Sequence, residues 1–311
     1  MSFDDFINEI TLRIKDYLPE DFADSSVSVQ TVYKTNDLTL HGLTVRKSSD
    51  SPAISPTVYL EDPYQEHESG KALEDVLKNL ADVIVKNTGN CPADISGINN
   101  LNDFKKVRNL IRIKLVNIDK NKDYLREKIN TPVPNTDLVA TYFIDLNKTG
   151  DNHATVMITK ALFDTWKNVS IDDLHAVALQ NTSDFASFQN IRSVLSELCG
   201  KLPAEFDVPE EDDQILYVLS STDKYCGAAS ILCPTTMDMV RDLLKTDKYR
   251  IILSSLHETL IVPYNENTEM SLTDLKNMVE EVNATQVAPC DRLSDNVYRY
   301  DYDSHTLKIA A

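Results

Sequence analysis

The sequence predicts an α+β fold of antiparallel β hairpins, each followed by a helix, with the helices covering one side of the sheet. Three observations point to it. Apolar alternation with period two gives way repeatedly to apolar spacing of three and four, so strands and helices are interleaved. Turn residues separate the strands in pairs, as in hairpins. In the second half the order strand, turn, strand, helix recurs three times in pattern, though not in residues, which favours a layered α+β architecture over a doubly wound parallel sheet.

Taken in order, Phe3, Phe6, Ile7, Ile10, Ile14 and Leu18 lie on one face of a helix. Val27, Val29, Thr31 and Tyr33, then Leu38, Leu40 and Leu43, form a hairpin broken at Lys34-Thr35-Asn36-Asp37. Residues Lys47 to Thr57 are rich in Ser and Pro and read as a loop. Thr57–Leu60 is a short strand, Glu61–Glu68 an acidic turn, and Leu73, Val76, Leu77, Leu80 and Ile84 a helix face. Val107 to Val116 reads as a strand with one wet face, because Arg112 and Lys114 alternate with isoleucines and a leucine. Thr131-Pro132-Val133-Pro134-Asn135 is the expected seam between an N-terminal α+β region, 1–130, and a C-terminal one, 138–311. The two are also compatible with one continuous domain.

The first copy of the recurring pattern is Leu138–Leu146, a turn at Lys148–Asn152, Ala154–Ile158 and a helix Ile171–Gln180, opened by Ser170 with Asp173 as a capping pair. The second is Ile215–Leu219, a turn at Asp223-Lys224, Ala228–Leu232 and a helix Met237–Leu244. The third is Arg250–Leu253, Thr259–Val262 and a helix Leu272–Val282, opened by Ser271 with Asp274. A further helix is expected over Phe188–Leu198.

Composition bounds the function. The chain has 311 residues, 42% hydrophobic and 26% charged, which is ordinary globular usage. No apolar run approaches the ~20 residues of a membrane helix, and the acidic start Met1–Phe6 lacks the basic and apolar regions of a signal peptide. The expected location is the cytoplasm, with no membrane partner. The five cysteines, Cys91, Cys199, Cys226, Cys233 and Cys290, are odd in number and widely spaced, so reduced thiols are expected. A net charge of −18 repels nucleic-acid phosphates, so direct nucleic-acid binding is not expected and a protein partner is. Only seven glycines are present and none can pair into a phosphate-cradling loop, which removes P-loop and dinucleotide-binding enzymes in their usual form.

The sharpest local cluster is Ser254-Ser255-Leu256-His257-Glu258, between two strands. A Ser/His pair has the chemistry of a nucleophile and its base. Residues two apart on extended chain meet only through a bend, and no Gly-x-Ser-x-Gly elbow exposes the serine. A polar hairpin connection is the plainer reading. No zinc signature surrounds His257, and Cys226 and Cys233 form no metal knuckle. Asp119, Asn121 and Asp123, and again Asp145, Asn147 and Thr149, open like calcium loops but lack the closing glutamate, so no metal or other cofactor is expected. His67 sits among carboxylates, where a pH-sensitive or metal-binding role is one reading and a solvated acidic turn before a helix the plainer one. Glu210, Glu211, Asp212 and Asp213 belong to an exposed acidic loop and are candidate binding residues. So are Tyr298, Tyr300 and Tyr302, which line one strand face suited to packing or to a partner.

Leu40-His41-Gly42-Leu43, Pro56–Glu61 leading to Gly70, Ser254–Glu258, and Met278–Asn283 followed by Leu293-Ser294-Asp295 together resemble an uncharacterised domain-of-unknown-function family. That family is found in anaerobic, gut-type Gram-positive bacteria, often on mobile elements. The second half is also distantly similar to another uncharacterised cytoplasmic Gram-positive family with the same hairpin–helix order. The resemblance implies a bacterial cytoplasmic setting and no activity. The expectation is therefore a non-enzymatic binding protein with an acidic surface, with a mobile-element DNA mimic or anti-defence factor as one version. The alternative is a hydrolase using Ser254 or Ser255, His257 and Glu258.

Overall fold

The computed structural model describes residues 1–47, 56–89, 100–146, 154–199, 216–264 and 271–311. They form an α+β protein whose strands pair antiparallel throughout. Internal contacts divide the chain into two units, Met1–Lys34 with Leu38–Ile95, and Thr35–Asp37 with Ser96–Ala311. This division lies upstream of the proline segment at 131–135. There Asn130–Pro132 is a strand hydrogen-bonded within the second unit. No helix among the described residues is long and apolar enough to cross a membrane.

In the first unit, helix α1 (Phe3–Arg13) begins at Ser2, whose hydroxyl accepts the Asp5 N–H, and Asp4 and Asp5 favour its positive end. It is shorter than its apolar face suggests. Ile14–Tyr17 tightens to a 3₁₀ turn, and Leu18, preceding Pro19, is extended because the proline ring crowds out the α conformation. Strands β1 (Ser26–Tyr33), β2 (Thr39–Arg46) and β3 (Thr57–Tyr59) form a sheet in that order. The expected acidic turn is instead helix α2 (Glu61–Glu68). Its proline at 63 falls in the first turn, where no intrahelical N–H is lost. Helix α3 (Leu73–Gly89) buries Val76, Leu77, Leu80, Ala81 and Ile84 with Phe6, Ile10, Leu43 and Leu60.

The second unit holds two sheets. One joins β4 (Ile111–Asn117), β5 (Asn130–Pro132), β6 (Leu138–Asp145) and β7 (Thr155–Met157), with β6 central. The other runs β13-β12-β10-β11-β9-β8, from β8 (Ala186–Asn190), β9 (Tyr217–Ser221), β10 (Tyr249–Ile252), β11 (Thr259–Pro263), β12 (Val297–Asp301) and β13 (Thr306–Ile309). Short helices α4 (Phe104–Val107), α5 (Lys122–Leu125) and α6 (Lys160–Phe163) punctuate the loops. Longer ones are α7 (Ile171–Asp184), α8 (Ile191–Cys199), α9 (Pro234–Leu244) and α10 (Leu272–Gln286). Both expected caps form: Ser170 with Asp173 as a full capping box, and Ser271 accepting from Asp274 N. α7 also covers the edge of β4. Ile113 N donates to Thr182 Oγ1 and Asn181 Nδ2 donates to Ile111 O.

Three further elements, all in the second unit, differ from the sequence reading. Ala228–Leu232, expected as a strand, lies in a 3₁₀ helix, Gly227–Leu232, of which Gly227–Ile231 are all buried, so no period distinguishes the two. At Gly227 an added Cβ would lie 2.3 Å from Ser221 N and 2.6 Å from His257 O, a backbone approach only glycine permits. The second copy of the recurring unit is thus strand, 3₁₀ turn, helix. Phe188–Leu198, expected as a helix, is strand β8 up to Asn190, whose side chain accepts Ser193 N–H and starts α8. Finally, β4 has no wet face. Its strand begins at Ile111 and Arg112 is only 3% exposed.

Candidate functional site

The connection Ser254–Glu258 lies between β10 and β11. Both serines are buried. Ser255 Oγ accepts the His257 backbone N–H at 3.0 Å, which makes the bend that the spacing requires. The imidazole turns away from both hydroxyls. Its Nδ1 accepts the Cys226 N–H at 3.3 Å, and Nε2 lies 3.6 Å from Asp291 Oδ1. Among the described residues no hydrogen bond joins a serine hydroxyl of this segment to the ring. Glu258 is half-buried, and its side chain makes no hydrogen bond or ion pair among the described residues. Backbone groups close the segment further. Leu256 N donates to Asp291 O, and Ser220 Oγ donates to His257 O at 2.7 Å. Cys226, beside the ring, is buried, which pushes its thiol up to about 11 and keeps it protonated at neutral pH.

Tyr298 and Tyr300, on β12, are buried, and Tyr302, just beyond the strand, is half-buried. Tyr298 is fully buried and donates to Asp137 and to Ser294 Oγ. Tyr300 is buried beside Tyr302, whose hydroxyl donates to Met237 O at 2.9 Å and meets Tyr249 Oη. These rings pack and bond within the second unit. The acidic run Glu210, Glu211, Asp212 and Asp213 lies outside the described residues, as do Asn147 and Thr149.

The calcium-like residues have other partners. Asn121 is buried, accepting Asn36 N–H at 2.6 Å and donating to Asn117 O. Asp123 pairs with Arg126. His67 stacks on Phe6, with Nδ1 2.9 Å from Lys71 O. No group of three or more metal-ligating side chains exists among the described residues.

Two arrangements were not anticipated. The first is the network around Arg112. Its guanidinium binds Asp145 at 3.1 Å, Asp223 through both terminal nitrogens and Tyr225 O at 2.9 Å, and lies over the Phe185 ring. Burial opposes the Asp223 charge, but the Arg112 and Ser221 hydrogen bonds prevail and hold its carboxyl below the ordinary 3.8. In sequence this arginine looked like surface alternation.

The second is a groove of about 620 Å³ in the first unit, formed by β3, α2 and α3. Its apolar lining is Tyr59, Val76, Leu80 and Val83, and its rim carries Asp62, Glu66 and Asp82. No lining residue is cationic. Lys71 pairs with Glu66 from outside it, and Lys34 lies over the Tyr59 ring. Asp62 and Asp82 are exposed and make no ion pair among the described residues. β3 is an edge strand of its sheet. The spacing of Asp62 and Glu66, four apart on one helix face, was the available signal.

The model of a family of unknown function, DUF5688, matches residues 3–302. No curated protein and no solved structure matches the chain. The match covers nearly the whole sequence and brings with it no activity, host or mobile-element setting.

Proposed function

Because the chain belongs to DUF5688, a family of unknown function, we propose a role from its own geometry: it is a non-enzymatic binding protein whose first unit takes an extended, basic segment of a partner protein. The observation that carries this reading is the groove between β3, α2 and α3, an apolar floor under three carboxylates with no cation in its lining. An extended segment can add along the edge of β3, as peptides do on open sheet edges, with its apolar side chains toward Val76, Leu80 and Val83. Its lysines or arginines would then meet Asp62, Glu66 and Asp82. The net charge of −18 draws such a partner in and speeds the encounter. A DNA-acting enzyme with a basic face belongs to this partner class.

The test is fluorescence anisotropy with a labelled peptide of alternating Lys and Val. The expected result is saturable binding that weakens with salt and falls at least tenfold, about 1.4 kcal/mol, in the Asp62→Lys/Asp82→Lys double variant. The control pair Asp16→Lys/Asp303→Lys changes net charge equally at exposed positions outside the groove. Equal loss in both pairs would reduce the effect to overall charge and overturn the groove as the site.

A further inference from the structure

We infer that Lys114, Lys128 and Tyr124 of the second unit form a binding site for a small oxyanion of the phosphate type. Lys114 is on β4 and points to Thr35, its Nζ donating to Thr35 Oγ1 at 2.8 Å. Lys128 follows α5, its Nζ donating to Tyr124 O at 2.8 Å. Both ammonium groups lie over the ring of Tyr124, at 5.6 Å and 3.8 Å from its centroid. An ammonium has three hydrogens to donate, so each lysine keeps donors that these contacts leave unused.

Half-buried cations are normally neutralised by carboxylates. In a chain with 49 acidic and 31 basic residues, such partners are plentiful. Yet neither lysine makes an ion pair among the described residues. Asp37, at the start of α5, turns its carboxylate to the N–H groups of Asp123 and Tyr124, at 3.1 Å and 2.8 Å. Tyr124 adds an independent observation. It is 4% exposed, and its buried hydroxyl has the Thr35 and Thr141 hydroxyls for neighbours but makes no hydrogen bond of ordinary geometry. A buried hydroxyl so weakly held has capacity left for a further partner. Burial, reinforced by the charge of Lys114 and only partly offset by Glu127, also holds Lys128 below its ordinary value, so the two ammonium groups repel where an anion would relieve both. A tetrahedral oxyanion supplies several acceptors at once and is the ligand this donor set fits. The site is separate from the groove of the first unit and does not depend on it.

The test uses the full chain. Thermal unfolding is followed with rising inorganic phosphate, against sodium chloride at equal ionic strength. A saturable rise in Tm of a few degrees with phosphate but not chloride is expected, since a ligand of the native state stabilises by mass action. Lys114→Met and Lys128→Met should remove that rise while retaining the native circular dichroism. A second measurement needs no variant. Acetic anhydride should modify Lys128 of the wild-type protein, and saturating phosphate should slow that labelling several-fold. Glycerol phosphate in place of inorganic phosphate distinguishes the sources. Tighter binding of the ester marks the phosphoryl group of a larger molecule, and tighter binding of the free ion marks phosphate itself. A wild-type Tm and Lys128 labelling rate indifferent to both probes would overturn the site.

Discussion

The Arg112 guanidinium holds the Asp223 carboxylate through both of its terminal nitrogens, from a position 111 residues earlier in the chain. The same side chain reaches Asp145, so one buried cation joins β4, β6 and the turn after β9. Breaking such a pair on one side leaves an uncompensated buried charge. Arg112→Met is expected to destabilise the protein by about 3–5 kcal/mol, read from the urea midpoint. Arg112→Lys should recover only part of this, because an ammonium cannot repeat the fork. A midpoint unchanged in Arg112→Met would show that the network contributes nothing to stability.

Acid should weaken the fold through the same pair. The folded pKa of Asp223 lies below 3.8, so its ionised form is favoured by folding. That contribution is complete well above the unfolded value near 4 and is lost as pH falls through the depressed folded value. Comparing urea midpoints at pH 7 and in the acid range checks it. The Asp223→Asn variant should show a shallower acid loss than wild type, and an identical loss would remove Asp223 from the account.

Gly227 carries a steric prediction. Its Cβ position is occupied by the backbone of Ser221 and His257, which cannot rotate away. Gly227→Ala should therefore cost about 1–3 kcal/mol or more, as overpacking does, and should displace the His257 carbonyl from Ser220 Oγ. A thermal midpoint equal to wild type would contradict the close approach.

Ser255 is expected to matter for stability. Ser255→Ala removes the acceptor of the His257 N–H in a segment shielded from water. A loss of about 1–3 kcal/mol is expected. His257→Ala should leave binding of the Lys–Val peptide unchanged, because the groove is built by 57–87. A variant folded as wild type that had lost that binding would place His257 in the function.

Much of the fold was legible where a single local rule decides. Ser170 with Asp173 and Ser271 with Asp274 announced two helix starts, and the polar break at 34–37 announced the first hairpin. Failures came where local patterns are degenerate. Arg112 and Lys114 alternate with apolar residues as on a wet strand, and only the arrival of Asp145 and Asp223 from distant sequence makes the arginine interior. The Gly227–Ile231 stretch is buried all round, so neither period shows. The candidate site was less legible than the fold. Ser254–Glu258 was conspicuous in sequence, but its polar groups bond to backbone. The groove is assembled from three elements, and its floor residues Val76 and Leu80 had already been read as ordinary helix core.

The central claim is that the groove of the first unit is the binding surface. Hydrogen exchange of the full chain, with and without saturating Lys–Val peptide, tests it most directly. Protection concentrated at Thr57–Tyr59 and along the facing turns of α2 and α3, and abolished in Asp62→Lys/Asp82→Lys, is the predicted result. Protection spread over the acidic surface, or confined to the second unit, would contradict it.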